Sequence, residues 1–252
     1  MSRTRSPRVT VVMPAYNAGR FIDEAIQSIR DQTLSDWELL IVNDGSTDNT
    51  ADIAERHAKD DPRIRVLHQE NAGQAAANNH AIPQARAELI ARMDADDVSL
   101  SNRLALLATF LDQHPHVVVV GTNATLCSPC GAELQQTRLP ETDAEIRASL
   151  FRQRVNAFFN PTLMFRKSAW LASGGERACF GHAHDLDLCL RMVEDGEAYN
   201  LRNPTIRYRL HSGQVSTTAS EVQATCALAA FLCADARSRG QEEPCYTTRT
   251  AP

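Results

Sequence analysis

The chain has 252 residues, with 26 Lys and Arg against 31 Asp and Glu, and its formal net charge of −5 does not suit a general nucleic-acid coat. At 43% hydrophobic and 23% charged residues it has ordinary globular composition, which argues against a disordered or fibrous chain. A chain of this length can bury about 70 to 75% of its unfolded surface, so a large core needs no disulfide staples.

The first hundred residues alternate short apolar runs with helical periodicity. Val9 to Met13 predicts a buried strand, and Ile22, Ile26 and Ile29, spaced i, i+4, i+7, predict a helix with one apolar face. Leu39 to Val42 is a second strand. It is followed by NDGSTDNT, whose Asp, Gly, Ser and Thr suit a turn and a helix N-terminus, and then by a helix through Ala58. Ile64 to Leu67 is a third strand, and a glycine turn at Asn71 to Gly73 opens an Ala-rich helix from Gln74 to Ala85. Leu89 to Met93 makes a fourth strand that runs into DADD; Leu104, Leu107 and Leu111 mark the next helix, and Val117 to Val120 another buried strand. Strands apolar on both faces, alternating with helices, imply a mostly parallel sheet covered on each side. Ligands of such sheets sit at the carboxyl ends of the strands. The polar clusters fall there: Tyr16 and Asn17 after the first strand, Asp44 after the second, Asp94 and Asp96 after the fourth.

Beyond Gly121 the pattern changes. Ala124 to Pro140 reads as a hairpin around Gly131, and Thr142 with Glu145 forms a capping box that opens a helix to Phe151. Gly174 and Gly175 stop a helix, another runs near Asp185 to Glu194 and closes at Gly196, and Glu221 to Arg237 is an Ala-rich helix carrying Leu228, Phe231 and Leu232. No apolar run approaches the roughly 18 residues of a spanning helix. Met1 to Arg8 is basic, but Val9 to Met13 is too short for a signal-peptide core, so the expected location is the cytoplasm. Of seven cysteines only Cys127 and Cys130 are close together, as CSPC; they read as reduced, structural thiols in a turn, with half a zinc site or a redox pair as alternatives that no second pair supports.

Asp94, Asp96 and Asp97 crowd three carboxylates into four positions directly after a strand. Such a group repels itself unless a cation sits in it. Mg²⁺ takes one or two protein carboxylates together with substrate phosphates, so the turn fits a metal-diphosphate site. The alternative is a solvated acidic loop or a helix N-cap, for Asp97 in particular. Asp185 begins a helical pattern whose Leu186, Leu190 and Val193 form a core stripe; alone it reads equally as a capping acid.

The segments VVMPAYNAGRFIDEAIQSIRDQT, WELLIVNDGSTDNT, NAGQAAANNHAI, ARMDADDVSLSNRL, NPTLMFRKSAW, HAHDLDLCLRMVEDG and RYRLHSGQVS occur in an order that resembles glycosyltransferase family 2 from about Val9 to Ser216. The resemblance implies an α/β fold of the A type (GT-A), a single Rossmann-like domain with a mostly parallel sheet flanked by helices and a C-terminal helical extension. It divides the chain into a tail (1–8), a glycosyltransferase domain (9–216, with a nucleotide-binding half to about 121 and an acceptor half from 122) and a C-terminal helix and tail (217–252). Pro14, Ala15 and Tyr16 match the loop that lines the nucleotide base, and Asp44 the acid that recognises base or ribose, where a carboxylate can accept from a ring N–H. Asp94 and Asp96 match the DxD pair, with Asp96 on a Mn²⁺ or Mg²⁺ ion and Asp94 on the ribose or a metal-bound water. Asp185 matches the general base of inverting members, and His211 a histidine that contacts metal or diphosphate. Asn160 lies in a loop that faces the acceptor in the family.

One position departs from the family. Glu-Asp is common where this chain has His184 and Asp185, which puts the acceptor class in doubt; His184 and His182 read either as acceptor contacts or as a solvated pair. Arg207 and Arg209 flank Tyr208 on what looks like a strand, lining the diphosphate cleft or pairing with surface acids. The implied activity is inverting transfer of a sugar from a nucleoside-diphosphate sugar, a uridine one foremost, to a glycan or lipid-linked hydroxyl. Partners are the donor and that acceptor, with no nucleic acid. The C-terminal helix packs on the domain or on a second subunit, and a peripheral membrane contact has no basic face to support it. Two other readings stand beside it: a catalytically inactive relative that binds nucleotide sugar or a partner, and a nucleotidyltransferase, which PAYNAG disfavours because it has no Lys or Arg before Arg20.

Overall fold

The computed structural model describes residues 6–212, 214 and 220–244. Strands β1 (Val9–Ala15), β2 (Trp37–Asp44), β3 (Ile64–Gln69) and β4 (Leu89–Arg92) alternate with helices α1 (Ile22–Arg30), α2 (Thr50–Asp60) and α3 (Gln74–Ala81). They pair in parallel in the order β3-β2-β1-β4. The rest of the sheet is mixed. β8 (Met164–Arg166) lies antiparallel between β4 and β6 (Val117–Cys127), β9 (Glu197–Arg209) runs parallel to β6, and the short β5 (Val98–Ser99) pairs with β9. The hairpin around Gly131 forms, with β7 (Glu133–Gln136) antiparallel to β6 and exposed along its length. Beyond β5 the helices are α4 (Arg103–Gln113), α5 (Asp143–Arg147), α6 (Lys167–Ala172), α7 (His184–Asp195) and α8 (Ser220–Ser238). None of the described helices is long and apolar enough to cross a membrane.

Alternation along the strands divides the core. Val9, Val11 and Met13 of β1 and Leu39 and Ile41 of β2 pack with Ile22, Ile26 and Ile29 of α1, Ile53 of α2 and Leu104, Leu107 and Leu111 of α4. Val12, Leu40, Val42 and Ile90 face the other way, onto Ala77 and Ala81 of α3, Trp170 of α6, and α7 and α8. Both faces are covered, which is why the strands read as continuous apolar runs. The same alternation sends Arg92, next after Ile90 on that face, toward α3 and α7, and Met93 toward α1 and α4. α8 packs on the domain through Cys226, Ala229, Ala230, Cys233 and Ala234, while Leu228 is exposed.

One local expectation is corrected. Asp97 is neither a solvated acid nor a cap: it is completely buried below the turn, with Asn102 at the N-terminus of α4. α7 closes at Gly196 as expected, in an extended conformation (φ −158°), and glycine is required there by space, since a Cβ would lie 2.2 Å from Val118 Cγ1. Gly196→Ala is therefore expected to cost about 1 to 3 kcal/mol through overpacking. Urea unfolding checks this, with Val118→Ala in the same chain restoring most of the loss.

Candidate active site

The loops after β1 and β2 are stitched together by side chains that the turn-rich sequences supply. Asn17, in a left-handed conformation (φ 49°), accepts from the Thr47 amide at 2.8 Å, and its own amide donates to Ser46 Oγ at 3.1 Å. Ala18 N donates to Thr50 Oγ1 and Gly19 N to Asp48 Oδ2. Pro14, Ala15 and Tyr16 run into this frame, with Ala15 buried and the Tyr16 ring 53% exposed at the lip of the sheet. Asp44 is 4% exposed and accepts from Gln69 Nε2 (2.7 Å), Ala72 N (2.9 Å) and Gly73 N (2.9 Å). Three of its roughly four acceptor sites are thus taken, two of them by the turn that opens α3. From the first residue of α3, Gln74 Nε2 donates to Asp94 Oδ1 at 3.0 Å, so the Asp44 turn and the acidic turn are mechanically joined.

Asp94, Asp96 and Asp97 each offer an oxygen within 4.8 Å of the others. Burial and then the neighbouring Asp96 push the Asp94 carboxyl up to about 6, with Asp185 adding to the rise and Arg92 opposing it. Asp97 is raised well above the usual range by burial and by Asp96 and Asp94, and its Oδ2 has no hydrogen-bond partner. His211 Nε2 lies 2.8 Å from Asp96 Oδ2, with the Phe21 ring against its imidazole at 4.8 Å. The structure thus brings Asp96 and His211 together from positions 115 residues apart. An oxygen-rich cluster with an orphaned carboxylate oxygen, mutual repulsion and an adjacent imidazole fits a Mn²⁺ or Mg²⁺ ion. Arg209 closes the outer side: its amide donates to Asp97 Oδ1 (3.0 Å), its Nε to the Asp96 carbonyl (3.0 Å) and its Nη2 to Glu24 (2.7 Å). Arg207 instead points at Glu133, 3.7 Å away.

Asp185 lies in the first turn of α7, but the cap position is Ala183 and makes no side-chain cap bond. Its field reaches Asp94, Arg92 and His184, which puts it in one electrostatic neighbourhood with the acidic turn. His184 is buried, 5% exposed, with Nδ1 2.6 Å from Glu176 Oε2, whereas His182 is exposed. Asp187 is fully buried and held by Arg177 and Arg191, a structural role. Asn160 is half-buried in a 3₁₀ turn next to Pro161, whose carbonyl accepts from Arg103; the Asn160 Oδ1 has no partner.

Sequence reasoning missed Arg92, Arg103 and Glu176. Arg92 ion-pairs with Glu176 in the interior, and Arg103, also fully buried, donates to the Arg92 and Pro161 carbonyls. A charged residue in the otherwise apolar LIAR strand was the available signal. Burial opposes ionisation of Glu176, but Arg92 and His184 more than reverse it and draw the carboxyl down to about 2. Burial likewise disfavours charge on His184, and Glu176 and Asp185 outweigh it, so its pKa is raised.

These shifts set a stability window. The contribution of Glu176 is present above its ordinary value near 4.5 and is lost as pH falls toward 2. That of His184 is full below about 6.5 and lost as pH rises through its raised value. Urea unfolding against pH is expected to show both limbs, and His184→Asn to flatten the alkaline one.

A model of the family described as glycosyl transferase family 2 matches residues 10–171. The O-antigen biosynthesis glycosyltransferase WbnJ of Escherichia coli is 31% identical over 230 residues, 89% of each chain. Among solved structures, S. aureus TarS 1-349 in complex with UDP-GlcNAc superposes with a TM-score of 0.70 at 21% identity, covering 91% of this chain and 73% of that one. The mannosyltransferase PcManGT from Pyrobaculum calidifontis, in complex with GDP-Man and Mn²⁺, gives 0.69 at 21% identity over 96% of this chain and 67% of that one. These two share the GT-A fold with it. By the family match and the relationship to WbnJ, the chain belongs to glycosyl transferase family 2.

Proposed function

We propose that the protein is an inverting, metal-dependent glycosyltransferase that moves one sugar from a nucleoside-diphosphate sugar to a hydroxyl of a glycan or lipid-linked acceptor. The observation that carries this reading is the acidic turn after β4 in a chain of this family: Asp94, Asp96 and Asp97 offer oxygens within 4.8 Å of one another, and His211 Nε2 lies 2.8 Å from Asp96 Oδ2. A uridine donor is the first to test, since TarS holds UDP-GlcNAc; the GDP-Man of the mannosyltransferase puts guanosine donors in the same panel. The six described free cysteines suit a cytoplasmic setting, and the relationship to an O-antigen enzyme suits a glycan acceptor.

In this reading Tyr16, at the lip of the sheet, lies along the base, and the turn held by Asp44 faces the ribose together with Asp94. Asp96 and His211 would hold the divalent cation, which when bound supplies neutralising charge to the departing diphosphate. Asp185 accepts the proton of the acceptor hydroxyl as its oxygen attacks the anomeric carbon from the face opposite the diphosphate. Asn160, with its unpartnered carboxamide oxygen, lies toward the acceptor side.

The test is release of nucleoside diphosphate from a panel of nucleotide sugars, with Mn²⁺, Mg²⁺ or chelator. Several kcal/mol of metal stabilisation at about 1.4 kcal/mol per tenfold predicts that Asp96→Asn lowers turnover by about 100-fold or more. Near-normal turnover of this variant in saturating Mn²⁺ would overturn the metal assignment. Asp185→Asn is expected to lower kcat by about 10²- to 10⁴-fold while calorimetric affinity for UDP with Mn²⁺ is kept. UDP binding by the wild type with neither hydrolysis nor transfer, across the panel and with glycan acceptors, favours the non-catalytic alternative.

A further inference from the structure

Glu176 occupies an unusual place: it is 4% exposed and touches at once β4, the strand that leads into Asp94, and α7, the helix that carries Asp185. The chain reaches it through Gly174 and Gly175, both at positive φ (78° and 76°), a turn that aims the next side chain inward. Its backbone is pinned to α3, with its amide donating to Asn79 Oδ1 (2.9 Å) and its carbonyl accepting from Asn79 Nδ2 (2.7 Å). Its carboxylate then divides. Oε1 pairs with Arg92, two residues before Asp94, while Oε2 lies 2.6 Å from Nδ1 of His184, the residue before Asp185, and also accepts from Asn78 (3.1 Å).

Arg92 makes the arrangement consequential. It is buried, its Nη2 has no hydrogen-bond partner, and besides Glu176 it feels Asp185 and Asp94. A guanidinium in that position has three carboxylates to choose from. Its ion pair is with Glu176, and Asp94 accepts from Gln74 instead. Without Glu176, the unpaired arginine is drawn onto one of the two working carboxylates, because a buried charge without a partner is strongly unfavourable.

Resting on the glycosyltransferase reading of this site, we propose that Glu176 is the positioning residue of the reaction: with Arg92 and His184 as its two partners, it fixes the start of α7 against the end of β4 and keeps Arg92 off Asp185 and Asp94. The departure from the family at position 184 then has a physical account. A Glu at that position would face the Glu176 carboxylate in a dry interior; here the carboxylate comes from the loop ahead of α7, and an imidazole receives it. The charged groups facing His184 are Glu176 from that loop, Arg92 from β4 and Asp185 from its own helix.

The test uses the full chain and the donor that the panel shows to be turned over. Glu176→Gln is expected to lower kcat by about 10- to 100-fold, since a displacement on the order of 1 Å at a reacting group can cost that much. Calorimetric affinity for UDP with Mn²⁺ falls less than kcat, by at most about tenfold, the worth of one hydrogen bond, because Asp94 is the one proposed nucleotide contact that acts on Arg92. The swapped chain Glu176→His with His184→Glu, which offers Arg92 a carboxylate from the other side, recovers at least tenfold of the lost kcat and covers the case in which Glu176→Gln does not fold. Wild-type kcat in Glu176→Gln overturns the proposal. So does a parallel fall in kcat, UDP affinity and Tm with no recovery in the swap, the pattern of a merely structural residue. Absence of turnover in the wild type defeats the reading of the site itself, and the positioning role falls with it; a failure confined to the variants leaves that reading standing.

Discussion

The carboxyl end of the sheet concentrates more negative charge than a dry environment tolerates. Asp94, Asp96, Asp97 and Asp185 converge there, and Arg92, Arg103, Arg209 and His211 are set around them. The protein's own cations do not fully answer the acids: Asp94 is still pushed up to about 6 and Asp97 well above the usual carboxylate range. Arg103 is itself drawn down to about 10 by burial, in spite of Asp97 and Asp94. A fold selected only for stability would replace such groups with apolar side chains of similar volume. The residual imbalance is of the sign that a bound cation would meet.

Around this cluster the nucleotide side is held by short polar links rather than by apolar packing. Asn17, Ser46, Thr47, Asp48 and Thr50 lace the loops after β1 and β2 to each other, and Asp44 holds the turn before α3. Gln74 carries that order on to Asp94. A ligand arriving at these loops meets amides and carboxylates already in position, which lowers the ordering cost of binding.

The parallel half of the sheet was legible in the sequence because its strands are buried on both faces and its helices have single apolar stripes; Val9 to Met13 and Ile22, Ile26 and Ile29 are where periodicity places them. The acidic turn was legible because its three carboxylates are neighbours in sequence. β5 and β8 were not, being two and three residues long and held by pairing partners distant in the chain. The Arg92 to Glu176 pair was hidden for the same reason: a charge in a strand reads as a surface residue until a partner 84 positions away is brought to it. α7 misled in another way. Its stripe of Leu186, Leu190 and Val193 suggested one buried face, yet Leu188, Cys189, Arg191 and Met192 are buried too, because β6, α6 and α8 enclose it.

α8 forms the back wall of that enclosure, packing small side chains (Ala229, Ala230, Cys233, Ala234) beside Phe231 in the same apolar cluster as Leu186, Cys189 and Leu190. Close-packed interiors transmit changes in volume. A methyl group gained or lost on α8 therefore shifts the rod that carries Asp185 without altering any group that lines the cleft. Divergence in α8, which lies beyond the stretch that the family model matches, can thereby reset how the start of α7 sits against the acidic turn.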